Sequence, residues 1–470
     1  MRHISVVAGG TAVAQGINIV IMPILSRIYS PNDFGVMAAF VSITSILLEV
    51  SGFRYHFAIP LPKHERYGEA LVVLSFLLQA VFVAFVVFLV LVFGKPILLR
   101  FSMEVLMPYR VLIPVGIAGM GAYLTLTYWA IREQKFNVIG RTRITQALSG
   151  AFAKIGFGLW GFMPLGLLLG SIISQAGGIT TLLLALLKEK GLPKPVGSDL
   201  KRVAIRYRKF PMYSTWNGVL NAVGRQIMPI LLVSIYTPHV AGLFSMAQNL
   251  LHLPSAFIGQ AIGQVFLQRA SVARYHGNLK ALSMRTYTVL LQLSLFPIFL
   301  VSFFAPPVFA FFLGERWLEA GAFARVLAPW IALSFVTSPM SSIFPILDRQ
   351  GAVLVFEIFY MTARVFAFYF GSKFGGPLFA TALFGAVGFV ALIFFAHYVL
   401  ILTGNSFRHI FWINIYAFLE AGTLLLLPAM SLFFKMHFII VAAALFLSVA
   451  LYLISSIRAF RSLKTAGGEI

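Results

Sequence analysis

The chain contains no cysteine among its 470 residues, which excludes disulfide bonds and cysteine-ligated metal or iron–sulfur centres. Charge is also scarce, because Asp, Glu, Lys and Arg make up only 11% of the residues while hydrophobic residues make up 60%. Soluble globular domains carry about 25% charged residues. The composition therefore excludes a soluble protein and predicts one that crosses a membrane many times.

Sequence patterns of familiar catalytic sites are missing as well. The chain has no P-loop, no paired metal-ligand histidine motif and no nucleophile elbow. No long polar segment leaves room for a soluble active site. We therefore predict that the protein is not an enzyme, and we expect no catalytic residues, no metal site and no cofactor.

Apolar runs of about twenty residues recur along the whole chain, and each is long enough to cross about 30 Å of hydrocarbon as a helix. They predict an all-α polytopic membrane protein with about fourteen spans. The predicted spans are 4–28, 34–54, 68–93, 106–131, 140–161, 163–187, 211–235, 241–268, 282–305, 322–346, 352–372, 378–403, 410–432 and 437–457.

Positive charge is concentrated in alternate loops. The chain has 36 Lys and Arg against 14 Asp and Glu, and the loops after even-numbered spans hold most of the cations. The segment 188–209 alone holds eight, whereas 236–240 holds none. The positive-inside rule then places both termini in the cytoplasm. Because the cations follow the topology, we expect contact with anionic membrane lipids and not with nucleic acid.

A duplicated motif indicates that the bundle is built twice. Met-Pro-Ile-Leu at 22–25, followed by Ile-Tyr-Ser-Pro and Gly35, returns as Met-Pro-Ile-Leu at 228–231, followed by Ile-Tyr-Thr-Pro and Gly242. Six spans separate the copies, so the two halves run in parallel. We predict a six-helix lobe at 1–190, a basic cytoplasmic linker at 191–210, a second six-helix lobe at 211–405, and a terminal helix pair with a cytoplasmic tail at 406–470.

Spans one and seven carry polar side chains at helical spacing. Gln15 and Asn18 share one face of the first span, and Asn217, Asn221 and Arg225 share one face of the seventh. The repeat places these two faces at the same height, which predicts a polar pathway between the halves. The alternative is that these groups only hydrogen-bond neighbouring helices together.

Span eight adds Gln260 and Gln264, one helical turn apart. Long amides suit sugar hydroxyls, but helix packing explains them equally well, and the sequence leaves this choice open. For coupling to a proton or sodium gradient, the candidates within the spans are Glu49, Glu357 and His252. No feature of the sequence ranks these three.

Three cations lie deep within predicted spans: Lys154, Arg225 and Arg364. Each costs about 2.5–3.5 kcal/mol at the bilayer centre unless it is hydrated or paired, so together they predict a basic cavity. A desolvated guanidinium is suited to phosphate, although pairing with glutamates of neighbouring helices is the alternative. Arg54 and Arg269 end their spans on the cytoplasmic side, where they can receive a lipid phosphate or simply extend to the interface.

The first two spans carry residues that resemble those of a known family. The stretch 10–35, ending Ser-Arg-Ile-Tyr-Ser-Pro-Asn-Asp-Phe-Gly, is followed by Arg54-Tyr55 and a basic loop at 63–66. It is similar to the polysaccharide transporter family, whose Wzx-type members are O-antigen and exopolysaccharide repeat-unit flippases. That family belongs to the multidrug/oligosaccharidyl-lipid/polysaccharide exporter superfamily, and the similarity in topology extends over the whole chain.

This resemblance implies a flippase in the bacterial cytoplasmic (inner) membrane that moves an undecaprenyl-pyrophosphate-linked oligosaccharide to the periplasmic leaflet by alternating access. A glycan polymerase and a chain-length regulator are further expected partners. The pyrophosphate or acidic sugars would then meet Arg54, Lys154, Arg225, Arg269 and Arg364. The sugars would meet Gln15, Asn18, Asn217, Asn221, Gln260 and Gln264.

Three other functions remain open at this point. A cation-coupled multidrug exporter of the same superfamily usually places a carboxylate in an early helix, but spans one and seven contain neither Asp nor Glu. A peptidoglycan-precursor flippase would share the pyrophosphate anchor. A membrane glycan polymerase would be an enzyme, and it usually needs a sizeable periplasmic loop.

The resemblance also implies that spans thirteen and fourteen form a groove for the polyprenyl tail. Glu420 in span thirteen fits this groove poorly, because a carboxylate that faces lipid is costly.

Overall fold

The computed structural model describes residues 2–191, 196–253, 260–433 and 438–465. These residues are folded almost entirely into helices and include no strand, which confirms the all-α prediction. The α-helices are α1 (Arg2–Ile28), α2 (Pro31–Ser51), α3 (Glu65–Arg100), α4 (Leu112–Arg132), α5 (Phe136–Leu159), α6 (Leu165–Ala176), α7 (Ile179–Lys190), α8 (Gly197–Arg206), α9 (Thr215–Ile235), α10 (Pro238–Leu251), α11 (Gln260–Tyr275), α12 (Leu279–Leu313), α13 (Leu318–Met340), α14 (Ile343–Ile346), α15 (Gln350–Phe374), α16 (Pro377–Leu402), α17 (Phe407–Phe433) and α18 (Phe438–Thr465).

Within the described residues, eleven helical stretches are long and apolar enough to cross a membrane. Three of the predicted spans are not among them. The span 140–161 corresponds to α5, whose cations Arg141, Arg143 and Lys154 lower its hydropathy. The span 241–268 covers α10, α11 and residues outside the described ranges. The span 437–457 begins in such residues, and α18 contributes only the shorter apolar stretch Ala443–Ile457.

Predicted spans and observed helices differ in places. The span 68–93 is shorter than α3, which runs from Glu65 to Arg100. The span 163–187 agrees with the apolar stretch Leu165–Lys188, within which Gly178, with a φ of 99°, separates α6 from α7. Apolar content alone marks a span, but turns depend on residues whose backbone leaves the helical region.

The chain separates into two compact units. Unit 1 contains Met1–Ser245 and Phe312–Trp317, and unit 2 contains Met246–Phe311 and Leu318–Ile470. In unit 1, α5 packs against α1 and α6, and α2 packs against α9. In unit 2, α16 packs against α13 and α15, and α17 packs against α18. The predicted division into lobes at 190 and 211 is not tested by this grouping and stays a prediction.

The duplicated motif begins a helix in both of its copies. Ser30 caps α2: its hydroxyl accepts from the Asp33 backbone N–H at 3.3 Å, and the Asp33 carboxylate accepts from the Ser30 N–H at 2.8 Å. In the second copy the Thr237 hydroxyl accepts from the Val240 N–H at 3.3 Å. Proline occupies the first helical position in each case, where its missing N–H does no harm.

The predicted linker contains a short helix, α8, that belongs to unit 1 and packs against α3. On α8, Asp199 and Val203 are buried, and the Asp199 carboxylate pairs with Arg66 of α3 at 2.5 Å. The Tyr55 hydroxyl donates to the backbone carbonyl of Ala204 at 3.0 Å. One face of this helix in the predicted cytoplasmic linker is therefore packed against the protein itself.

Candidate functional site

The polar residues of α9 form an exposed face. Asn217, Asn221 and Arg225 follow at steps of four residues, and all three side chains are exposed. Arg225 makes no ion pair or hydrogen bond with any residue that the structure describes. A charged group without a partner is costly in hydrocarbon, so this face is suited to water or to a polar ligand.

The matching face of α1 is less open. Asn18 is exposed, whereas Gln15 is half-buried. Gly10, one turn or more before them, lies so close to the backbone of Gly140 on α5 that a Cβ would come within 3.0 Å of its atoms. The helix α1 is therefore fixed against α5 on one side, and its polar residues occupy the part of its surface that packing leaves available.

Arg54 and Glu49 form an ion pair at the end of α2. The Arg54 Nε donates to a Glu49 carboxylate oxygen at 2.9 Å, and each side chain is 20% exposed. The Arg54 Nη1 also donates to the backbone carbonyl of Ser214 at 3.1 Å. A Cβ at Gly218 of α9 would lie 2.6 Å from the Arg54 guanidinium carbon. Arg54, a predicted phosphate ligand, and Glu49, a predicted coupling carboxylate, therefore form one ion pair that packs against α9.

His56 lies directly after this pair, in a short 3₁₀ turn between α2 and α3. Its side chain is buried, and its ring packs against the rings of Phe57 and Tyr128 at centroid distances of 4.6 and 5.4 Å. Burial and, to a smaller extent, the positive charge of Arg54 lower the pKa of His56 to about 4. His56 is therefore neutral at physiological pH and leaves Arg54 as the cation of this cluster.

Lys154 occupies the middle of α5 and is half-buried. It forms no ion pair within the described part of the chain. Its backbone carbonyl accepts from the Tyr29 hydroxyl at 2.6 Å, and its aliphatic stem lies against Gly170 of α6. Packing thus holds the stem in place, and no acid in the described part of the chain neutralises the ammonium group.

Arg364 of α15 is enclosed by aromatic rings in unit 2. Its guanidinium carbon lies 3.7 Å from the ring centroid of Phe384, 3.9 Å from that of Trp330 and 4.7 Å from that of Tyr360. The residue is 5% exposed, and its Nε has no hydrogen-bond partner among the described residues. Ring faces thus replace the carboxylate that a buried arginine usually requires.

The residues around this aromatic cage include two of the predicted coupling groups. The ring of His252 meets Trp330 edge to face at a centroid distance of 6.3 Å. Glu357, two turns before Arg364 on α15, is exposed and makes no ion pair with the described residues. No sequence pattern singles out Trp330, Tyr360 or Phe384, because aromatic residues occur throughout the spans.

The remaining predicted residues lie on α11. Arg269 is exposed. The side chains of Gln260 and Gln264 lie outside the described residues. No group of three or more His, Asp or Glu suited to a metal ion occurs in the part of the chain that the structure describes.

Glu420 of α17, which fits a groove for the polyprenyl tail poorly, is hydrogen-bonded to two neighbouring helices. One of its oxygens accepts from the Gln292 amide of α12 at 3.1 Å, and the other accepts from the Ser455 hydroxyl of α18 at 2.7 Å. Two neighbouring helices therefore supply the hydrogen bonds that the hydrocarbon cannot. Gln292 and Ser455 are polar residues within predicted spans nine and fourteen, and this is the signal that the sequence offers. Their spacing along the chain does not show that Glu420 is their shared partner.

Sequence comparison links the chain to proteins of polysaccharide biosynthesis. A family model described as polysaccharide biosynthesis protein matches residues 24–322, which is more than half of the chain. The succinoglycan biosynthesis transport protein ExoT of Rhizobium meliloti (strain 1021) is 25% identical over 357 residues, covering 72% of this chain and 67% of the relative.

Solved structures share the fold. The lipid II flippase MurJ in an inward closed conformation matches with a TM-score of 0.71 and 13% identity, covering 96% of this chain and 99% of the other. An inward-facing multidrug resistance MATE family transporter of the MOP superfamily matches with a TM-score of 0.59 and 13% identity, covering 84% and 94%. These findings confirm the fold and the family resemblance that the sequence indicated. The chain belongs to the polysaccharide biosynthesis protein family.

Proposed function

We propose that the protein is a flippase for an undecaprenyl-pyrophosphate-linked oligosaccharide, an O-antigen or exopolysaccharide repeat unit. It moves this substrate from the cytoplasmic to the periplasmic leaflet of the bacterial inner membrane by alternating access, with both of its own termini in the cytoplasm. The exposed polar face of α9 carries this proposal, because its Arg225 has no ion-pair partner among the described residues. The family match and the transport role named for ExoT support it.

The pyrophosphate is the part of the substrate that needs cations. Arg225 is free to bind it, and Lys154 has no acidic partner among the described residues. Arg54 is held by Glu49, so a phosphate must compete with that carboxylate for the guanidinium. We propose that Arg54 and Arg269 contact the substrate near the cytoplasmic surface, and that Arg225 and Lys154 contact it within the membrane.

The amides supply a second set of contacts. Gln15, Asn18, Asn217 and Asn221 offer both donors and acceptors, which is what sugar hydroxyls require. We propose that they bind the glycan, together with Gln260 and Gln264. Coupling to a proton or sodium gradient is proposed for Glu49, Glu357 and His252, of which Glu49 is the one already joined to a proposed phosphate ligand.

One rival function is favoured by a specific observation. The structural match to a lipid II flippase covers nearly the whole chain, and a peptidoglycan precursor carries the same pyrophosphate lipid anchor as the proposed substrate. The two substrates differ in the glycan, and therefore in which lipid-linked intermediate accumulates when transport stops. The match to the multidrug resistance MATE family transporter supports a multidrug exporter less, because its TM-score is lower, 0.59 against 0.71, and it covers 84% of this chain.

The test replaces Arg225 by alanine and by lysine in cells that lack the native protein. Losing charge-assisted hydrogen bonds to phosphate costs about 1.5–3 kcal/mol, so Arg225→Ala should reduce export about 10- to 100-fold at normal membrane levels, and Arg225→Lys should restore part of it. Arg27→Ala is the matched control, because Arg27 is an exposed cation in the last turn of α1 and has no proposed substrate role.

Mass spectrometry with leaflet-selective labelling identifies the lipid-linked intermediate. The proposal expects the complete repeat unit to accumulate in the cytoplasmic leaflet of the Arg225→Ala strain. Accumulation of a peptidoglycan precursor would favour the rival flippase. An unpolymerised repeat unit that reaches the outer leaflet normally would favour a polymerase, and unchanged export would exclude Arg225 as a substrate ligand.

A further inference from the structure

Two consecutive prolines interrupt the hydrogen bonding of α12. Pro306 and Pro307 lie within this helix, which ends at Leu313, and neither has a backbone N–H to donate. In an α-helix these N–H groups would bond to the carbonyls four residues earlier, those of Ser302 and Phe303. A carbonyl without a donor is costly inside a protein and in hydrocarbon. The helix therefore carries two adjacent carbonyls that need donors from elsewhere.

Arg325 of α13 supplies both donors. Its Nε donates to the Ser302 carbonyl at 2.7 Å, and its Nη2 donates to the Phe303 carbonyl at 3.2 Å. A guanidinium holds its N–H groups in a rigid plane, so it can serve two adjacent acceptors at once. Gly321, one turn earlier, lets α13 come close, because a Cβ there would lie 2.5 Å from the Pro306 nitrogen. Each hydrogen bond that the prolines remove is thus replaced by one from Arg325.

The proline segment, residues 302–307, lies just before the chain changes units. Unit 2 contains α12 as far as Phe311, unit 1 contains Phe312–Trp317, and the chain returns to unit 2 at Leu318. Proline within a helix is a common site of bending, because the missing hydrogen bonds leave the two parts of the helix less firmly joined. A rotation of one unit relative to the other would therefore be absorbed in α12 at this segment.

The chain on either side of the proline segment is anchored, each part in its own unit. In unit 1, the Leu313 carbonyl accepts from the Ser26 hydroxyl at 3.0 Å, and the Nε1 of the fully buried Trp317 donates to the Ser26 carbonyl at 2.9 Å. In unit 2, the ring of Phe296 stacks on that of Tyr452 at a centroid distance of 4.8 Å. Because both parts are held, the proline segment between them is left to bend.

The first half of the chain has the same arginine in a different role. Arg110 precedes Val-Leu-Ile-Pro as Arg325 precedes Val-Leu-Ala-Pro. A Cβ at Gly94 of α3 would lie 3.4 Å from the Arg110 Cδ, but the guanidinium donates to the Met107 sulfur at 3.5 Å and to no carbonyl of α3 in the part of the chain that the structure describes. The helix α3 contains one proline, Pro96, and stays within unit 1. The repeat thus supplies a matched arginine that spans no change of unit.

We propose that Arg325 is a positioning residue for transport, which acts through α12 as the latch of a hinge between the two units. The inference rests on the proposed flippase function. Arg325 holds the Ser302 and Phe303 carbonyls in this conformation and releases them when α12 bends further at the prolines. Its side chain is exposed and forms no ion pair with a described residue, so water or a lipid headgroup can receive the freed guanidinium. Breaking and remaking these bonds accompanies the movement of the units during alternating access.

Distance measurements between spin labels test the hinge without any substrate. Asn32 in unit 1 and Lys373 in unit 2 are exposed at helix ends on the predicted extracytoplasmic side, and the chain has no cysteine of its own, so Asn32→Cys/Lys373→Cys can be labelled specifically. In nanodiscs, Arg325→Gln should change the ratio of the distance populations about tenfold, because it removes two charge-assisted hydrogen bonds from one state. Arg110→Gln, the matched control, should leave the ratio unchanged. Arg325→Lys should change it less, and this variant is measured if Arg325→Gln does not fold.

Restoring the missing N–H groups distinguishes a hinge from a structural support. Pro306→Ala/Pro307→Ala gives the Ser302 and Phe303 carbonyls donors from α12 itself, so adding it to Arg325→Gln should recover the thermal stability that Arg325→Gln loses. The alanines also stiffen α12, so the triple variant should still export the lipid-linked glycan about tenfold more slowly than the native protein, as Arg325→Gln alone does. Arg325→Lys keeps the charge and should recover part of the export.

The outcomes separate the hinge from the flippase function. An unchanged distance distribution in Arg325→Gln would overturn the hinge, and so would an equal change in Arg110→Gln. Export that returns to the native rate together with stability in the triple variant would overturn it as well and would leave Arg325 as a structural support. If the native protein moves no lipid-linked glycan, the proposed function fails, whereas the distance measurements still decide on the hinge.

Discussion

Replacing Arg364 by methionine separates a transport role from a structural one. Three aromatic rings surround the guanidinium, and a desolvated cation–π contact is worth about 2 kcal/mol. Two effects destabilise the folded protein. Desolvation of the charge costs several kcal/mol, and the Nε without a hydrogen bond costs about 1–3 kcal/mol. The opposing effects are similar in size, so Arg364→Met, which fills the same space without charge, should change the melting temperature by only a few degrees.

Arg364→Ala provides the comparison, because it removes the packed stem as well and should destabilise the protein by about 2–5 kcal/mol. Both variants are purified in detergent for thermal unfolding, and export is measured with the leaflet-resolved assay of lipid-linked glycan. If Arg364 binds the substrate phosphate at some stage of transport, Arg364→Met folds normally and loses export. Retained export in a stable Arg364→Met protein would refute this reasoning and leave Arg364 as a packing residue.

Two further predictions concern ionisable groups, the buried His56 and the half-buried Glu420. The pKa of His56 is lowered from 6.5 to about 4. Between these two pH values the imidazole is protonated in the unfolded chain but not in the folded protein. Stability should fall by about 3 kcal/mol between pH 6.5 and 4, and thermal unfolding of His56→Gln should lack this dependence. Glu420→Leu leaves the Gln292 amide without its acceptor and should lower stability by about 1–3 kcal/mol, whereas Glu420→Gln should cost less than about 1 kcal/mol in the same assay; equal losses would contradict a hydrogen-bonding role.

The start of each duplicated helix could be predicted from short-range chemistry. Ser30 and Asp33 form a capping box over three residues, and Pro31 fixes the first helical position. These interactions involve only neighbours in the chain, so the printed sequence contains all of their determinants. The contact between Gly35 and Pro238 is different, because nothing local distinguishes a glycine that faces another backbone from one that faces open space.

The charged residues show the same division. The rarity of charge in apolar spans identified Lys154, Arg225 and Arg364 as residues that need an explanation. Their surroundings differ: Arg225 is exposed, and Arg364 is enclosed by rings from α13, α15 and α16. Glu49, proposed for coupling, and Arg54, proposed for phosphate, proved to be partners. Spacing along one helix cannot report which side chain a neighbouring helix presents.

The sequence by itself determined that the chain is an all-helical membrane protein, where most of its spans lie, and that one motif was used twice. These properties follow from hydrophobic length and local capping, which act within about twenty residues. Only the tertiary structure decided that Gly35 meets Pro238 while Gly242 meets Pro31. That meeting joins segments some two hundred residues apart, and it depends on how whole helices pack, which no local pattern encodes.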